Sequence, residues 1–154
     1  MSRVVVAATL PVEQERLWAL LCDTRRYPEW VEMTTAVVRT DGPTRPGSTY
    51  EERNRLVGPF TVRSRWTVTE FDPPRRQQHI GTGVAGLRDL RVAFELEPAG
   101  TATRLTLAID FVPPLGRLGR MLDRLVLARL ILASQRRSLG RLTAIVTDEL
   151  PQSG

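Results

Sequence analysis

Apolar residues alternate with polar ones along most of the chain, and near its end the spacing becomes helical. Residues 3–9 form a candidate strand, because Val4, Val5 and Val6 are β-branched. Pro11 fits the first turn of a helix, with Glu13 and Glu15 near its positive end. Leu17, Leu20 and Leu21 follow at helical spacing, with Trp18 beside them, and Asp23-Thr24 ends the helix. Residues 25–30 predict a second short helix or turn, broken by Pro28. Strands are then expected over 32–39, 48–56, 60–71, 76–82, 87–97 and 102–112, separated by turn sequences such as Asp41-Gly42-Pro43, Val57-Gly58-Pro59 and Pro98-Ala99-Gly100. The alternation is clearest in the third of these. There Val62, Ser64, Trp66 and Val68 share one face, and Thr61, Arg63, Arg65 and Thr67 the other. From about Gly116 to Leu150 there is no proline, and Leu118, Leu122, Leu125, Leu132, Leu139 and Val146 fall along one side of a single long helix. Gly119 and Gly140 each cost that helix about 1 kcal/mol relative to Ala and are expected to mark bends or close packing.

The element order is a strand, two short helices, six strands and a long helix. Connections between the six strands are short, so they should pair as an antiparallel meander. Each strand has one apolar face to cover. The last helix, roughly 50 Å long for about 34 residues, is the element long enough to do so. The fold class is therefore α+β. Residues 1–150 are expected to form one domain, with a short polar tail at 151–154, and there is no internal repeat or linker.

Composition narrows the function. The 22 basic residues are all Arg and stand against 17 acids, for a net charge of +5, with one His and one Cys. One Cys excludes an internal disulfide framework, and one Cys with one His cannot build a Cys/His zinc site. No cofactor or metal is expected. Arg53, Arg55, Arg63, Arg65 and Arg91 fall on the outward sheet face among Glu51, Asp89 and Glu95, without interleaved aromatics, so nucleic acid is not an expected partner. No apolar run approaches the ~20 residues that span a bilayer, and no leader pattern precedes the first strand. The expectation is a cytoplasmic protein with Cys22 reduced.

Three stretches carry a family resemblance: Pro11-Val12 to Leu17-Trp18-Ala19-Leu20-Leu21 with Asp23 and Tyr27-Pro28-Glu29-Trp30; Gly100-Thr101-Ala102-Thr103-Arg104-Leu105-Thr106; and Leu115-Gly116-Arg117-Leu118-Gly119-Arg120-Met121-Leu122. In this order they make the chain resemble the SRPBCC or START-like superfamily, in particular its polyketide cyclase/dehydrase and lipid-transport family. The resemblance covers nearly the whole chain. It implies a helix-grip fold, a seven-stranded curved antiparallel sheet with two short helices and one long C-terminal helix over a cavity. It also implies a small hydrophobic ligand, and the family includes both carriers and cyclases.

The cavity wall can be read from strand parity. An odd-length loop centred on Gly58 sets Tyr50 opposite Trp66, Glu52 opposite Ser64 and Asn54 opposite Val62. Tyr50, Glu52, Asn54 and Ser64 are much polarity for a dry core, since each unsatisfied buried group costs about 1–3 kcal/mol. Trp30, Trp66, Leu90, Phe94, Leu107, Leu125 and Leu132 complete the expected ligand lining. His79 has two registers: apolarity turns Ile80 inward, whereas turn parity turns Gln77, His79 and Gly81 inward. An inward His79 suits proton transfer, with Glu52 the second acid–base candidate; the alternative is a surface or merely packed histidine. Arg88 shares the parity of Leu90, and Arg129 and Arg136 lie near the Leu125/Leu132/Leu139 stripe. Each either binds a ligand oxygen or pairs with Glu52 or reaches solvent. Leu127, Leu130 and Ile131 point away from that stripe, which suggests a homodimer or a peripheral membrane contact. The leading expectation is binding or transport of a lipid, isoprenoid or polyketide-like molecule. The alternatives are a cyclase, aromatase or dehydratase using the same cavity, and an interaction module.

Overall fold

The computed structural model describes residues 2–55, 58–84, 86–113 and 117–149, leaving aside the side chains of 117–125. Strand β1 (Ser2–Leu10) leads into α1 (Gln14–Cys22), a 3-10 turn (Thr24–Arg26) and α2 (Tyr27–Trp30). Then come β2 (Thr34–Thr40), β3 (Thr49–Arg55), β4 (Thr61–Asp72), β5 (Arg76–Thr82), β6 (Arg88–Ala99), β7 (Ala102–Val112) and α3 (Arg117–Glu149). All seven strands form one antiparallel sheet in the order β1-β7-β6-β5-β4-β3-β2. The six later strands are the expected meander, and β1 returns beside β7. The strand boundaries and those of α3 agree to within two residues, whereas α1 begins at Gln14, three residues beyond the Pro11 expected in its first turn.

The first helices close one end of the inner face. α1 buries Leu17, Trp18, Leu20, Leu21 and Cys22. The Gln14 side chain pins it to the sheet, donating to the carbonyls of Pro74 (3.0 Å) and Leu96 (3.3 Å). Asp23 ends α1 and caps the 3-10 turn by accepting from the Arg25 N–H. Pro28 sits in the first turn of α2, where it has no helical hydrogen bond to lose. Tyr27 and Trp30 are thereby buried, and the Tyr27 hydroxyl donates to the Leu21 carbonyl.

Helix α3 packs on β1 and α2 with a face that keeps Leu139 and Val146 of the expected stripe but is turned toward Ser134 and Ser138. It buries Ile131, Ser134, Ser138, Leu139, Leu142 and Val146. The seven-residue leucine repeat marks only one margin of this face: Leu139 is buried, Leu132 half-buried. At roughly 100° per residue, Arg129 and Arg136 stand almost opposite Ser138. Both are exposed: they reach solvent, one of the alternatives left open for them, which corrects their placement among the ligand-lining residues. Ile131 and Leu127 are corrected as well: Ile131 is core, Leu127 packs against the core half-buried, and Leu130 alone of the three is exposed. On this face, beside Ile131, Leu142 and Val146, Ser138 Oγ accepts from the Glu32 N–H (3.0 Å) just after α2 and donates to the Ser134 carbonyl. Gly140 is exposed, so close packing is not its role. Leu125, like the Leu115–Leu122 stretch and the 151–154 tail, lies outside the residues whose side chains are described.

Arg88 is exposed too. Between Arg88↔Val112 and Arg91↔Asp110 the β6–β7 pairing gains one residue on β6, and Asp89 takes a positive φ of 49°. This bulge breaks the alternation that would have turned Arg88 inward with Leu90. On the outer face, as expected, arginines meet acids: Arg76 bridges Glu70 and Glu95, and Arg63 pairs with Glu51.

Gly81 is paired with Trp66, and the indole lies against it. A Cβ there would come within 2.7 Å of the ring. Gly81→Ala is expected to displace Trp66 and cost about 1–3 kcal/mol in urea unfolding, with a shift in tryptophan emission. An unchanged midpoint and spectrum would show that the ring does not rest on this glycine.

Candidate functional site

The pleat of β3, β4 and β5 delivers alternate side chains to the inner face. The register is the one that loop parity gave: Tyr50↔Trp66, Glu52↔Ser64 and Asn54↔Val62. Tyr50, Glu52, Asn54, Ser64, Trp66, Leu90, Phe94 and Leu107 are all buried there, as is Trp30 on α2.

The polar members form a directed string. Trp66 Nε1 donates to Ser64 Oγ (2.9 Å), and Ser64 donates to Asn54 Oδ1. Asn54 Nδ2 donates to Glu52 Oε2 (3.0 Å), which also accepts from Thr34 Oγ1 (2.9 Å). Every bond therefore points toward one oxygen of Glu52. Burial pushes the Glu52 carboxyl pKa up, partly offset by the Asn54 and Thr34 bonds. A carboxyl so placed takes up a proton more readily than one in water.

A second string runs from Tyr50. Its hydroxyl lies 2.6 Å from His79 Nδ1, and His79 Nε2 lies 2.8 Å from Gln77 Oε1. Gln77 Oε1 also accepts from Thr44 Oγ1, and Gln77 Nε2 faces Cys22 Sγ. As the amide oxygen is an acceptor, the histidine proton is assigned to Nε2, and Nδ1 accepts from Tyr50. Turn parity, not apolarity, thus decides the facing of β5: His79 is 1% exposed and Ile80 only half-buried. Burial pulls the His79 pKa down to about 3, so the ring is neutral at physiological pH. Both nitrogens are already engaged by protein groups. Burial also raises the pKa of Tyr27, Tyr50 and Cys22.

Aromatic rings join the strings. Tyr50 stacks on Trp66 at 6.3 Å with an interplanar angle of 9°. Tyr27 meets Tyr50 edge-on at 5.4 Å, and Trp30 tilts against Phe94 at 6.0 Å. Among the described residues, Trp30 Nε1 and Ser134 Oγ are buried without a hydrogen-bond partner. The sequence did not single out Thr34 or Thr44, and marked Tyr27 only as part of the stretch that carries the resemblance. Thr34 opens a strand and Thr44 sits in a Pro/Gly loop, so no periodicity marks either. Arg88, Arg129 and Arg136 take no part in the inner face, and among the described residues there is no His/Cys/Asp/Glu cluster able to hold a metal. Among the described residues, no helix is long and apolar enough to cross a membrane.

The model of a family described as polyketide cyclase / dehydrase and lipid transport matches residues 1–147. A search of the curated proteins finds no match. Among solved structures, the Zhui aromatase/cyclase from Streptomyces sp. R1128 is 14% identical with a TM-score of 0.82, covering 99% of this chain and 98% of that one. TTHA0849 from Thermus thermophilus is 18% identical with a TM-score of 0.78, covering 95% and 97%. DynU16, from the dynemicin biosynthetic locus, is 16% identical with a TM-score of 0.69, covering 96% of this chain and 48% of that one. At these identities the likeness is one of fold, and the fold is the helix grip.

The two buried titratable groups give opposite pH slopes. Glu52 has a raised folded pKa, so its stabilising contribution is complete below the ordinary carboxylate value of about 4.3 and is lost as pH rises through the folded value. His79 has a lowered one, so its contribution is complete above about 6.5 and is lost as pH falls toward about 3. In urea titrations Glu52→Gln should therefore gain stability relative to the parent as pH rises above about 4.3. His79→Gln should close its stability deficit between pH 6.5 and pH 4. Parallel pH profiles for parent and variants would refute the burial of both groups.

Proposed function

The chain belongs to the polyketide cyclase/dehydrase and lipid transport family, and from that premise we propose that its interior binds or carries a small, mainly hydrophobic molecule of lipid, isoprenoid or polyketide-like character. The observation that carries this reading is the Trp66–Ser64–Asn54–Glu52 string set among aromatic rings. A protein that needed only a core would fill these positions with apolar side chains, because polar groups add desolvation cost and little net stability. Held in one direction, they orient an oxygen-bearing ligand whose affinity comes from burying apolar surface at about 25 cal/mol per Å². Glu52 supplies a carboxyl group at the end of the string. Trp30 Nε1, buried and unpartnered, supplies a donor for a carbonyl or hydroxyl oxygen.

A cyclase or dehydratase is the second reading, favoured by the raised pKa of Glu52. A carboxylic acid retained as its neutral form can protonate or hydrogen-bond an enolate. His79 is the poorer acid–base candidate, being neutral and bonded at both nitrogens. The arginines expected to stabilise an enolate lie outside.

Native mass spectrometry with organic extraction of the freshly purified protein is expected to reveal a co-purifying hydrophobic molecule. Failure of fatty acids, isoprenoids and aromatic polyketides alike to bind or to alter tryptophan emission would end the binding reading. With any accepted polyketide, Glu52→Gln should keep binding and lower turnover by about 10²-fold or more. Turnover unchanged by both Glu52→Gln and His79→Ala would end the enzyme reading.

A further inference from the structure

We propose that the free edge of β1, with the groove it forms against α3, docks an extended peptide segment that alternates acidic and apolar residues. The two edges of the sheet differ. β2 pairs with β3 through two register shifts, and irregularities of this kind blunt an edge against further pairing. β1 keeps unbroken register with β7 over its nine residues. It contains no proline, and Arg3 is its one charge. Val5 is 48% exposed. Half of an edge strand's N–H and C=O groups point away from its neighbour. Among the described residues, those of Arg3–Thr9 bond to nothing beyond β7.

The groove beside this edge has the shape for strand addition. Four successive residues, Val5–Ala8, form one wall of a hollow of about 430 Å³, with Arg136, Leu139 and Gly140 on the other. Side chains of successive strand residues point to opposite faces, so four in a row border the hollow along the strand's edge. At Gly140 the helix wall is low, since a Cβ there would meet nothing within 4 Å. Val5 also borders an adjoining hollow of about 290 Å³ with Arg129 and Leu132.

Charge selects the occupant. Arg3 is paired with Asp110, and Arg137 with Glu32, whereas Arg129 and Arg136 are exposed and make no salt bridge among the described residues. Pairing of β1 with the β1 of a second copy would bring together the arginines of both. A strand with acids toward Arg129 and Arg136 on α3 and apolar side chains on its other face, beside Val5, meets both needs: backbone pairing gives affinity, and alternate side chains give specificity.

The probe is an acetylated, amidated heptapeptide alternating glutamate and valine, compared with its lysine–valine counterpart by fluorescence anisotropy. The acidic peptide should bind the parent at least ~10-fold more tightly at low salt and slow hydrogen exchange of the β1 amides. The double variant Arg129→Glu/Arg136→Glu should reverse the preference. Gly140→Leu, which fills the groove from an open position, should weaken both peptides, with urea midpoints confirming that the variants fold. Equal binding of the two peptides, or β1 amides left unprotected by the acidic one, overturns the proposal. So does protection of β1 that arises without peptide, either through dimerisation seen by sedimentation or on phosphatidylglycerol vesicles.

Discussion

A carboxyl group placed on the inner face of a sheet must be neutral or well bonded, because an unpaired buried charge is prohibitively costly. Glu52 meets this constraint, and its neighbourhood is arranged around it. Asn54 lies two residues along β3, Ser64 is opposite on β4, and Thr34 comes from the adjoining edge strand. Asn54 and Thr34 donate to the same Glu52 oxygen, and Ser64 donates to Asn54. A register slip of one residue would send Glu52 to solvent and Arg53 inward, so the string also fixes the pairing of β3 with β4.

The neighbouring string has a different chemistry. His79 is deprived of water and bonded on both sides, which makes it a positioning element for the Tyr50 ring rather than an open base. Tyr50 in turn stacks on Trp66, and Trp66 occupies the space that Gly81 leaves. The inner face is thus a coupled set in which a glycine, two aromatic rings and two hydrogen-bond strings depend on one another. Such coupling holds the side chains of the wall in one arrangement.

Much of the fold was legible in the chain. Strict alternation in 60–71, turn residues at each break and the change to helical spacing after Pro113-Pro114 located the elements. Loop parity at Gly58 fixed the β3–β4 register. The same parity argument, applied to β5, was the sounder guide to His79. Apolarity misled there because Gln77 and His79 satisfy each other inside. The arginines were misplaced for two reasons. At Arg88 a bulge at Asp89 reset the alternation, and no residue type announces it. On α3 the leucine repeat marks one margin of the buried face, whose centre also holds Ile131, Ser138 and Leu142, so Arg129 and Arg136 turn outward.

The sequence by itself determined the element order, the antiparallel sheet, the β3–β4 register and the presence of polar groups on the inner face. Periodicity and turn chemistry are local properties, and they suffice for these. Only the tertiary structure decided which side chains answer one another: Thr34 and Thr44 as partners, His79 inward and neutral, three arginines outside, and a regular free edge at β1 facing a groove. These depend on contacts between segments far apart in the chain. Their energies are set by desolvation and by the match of donor to acceptor, which no single segment contains.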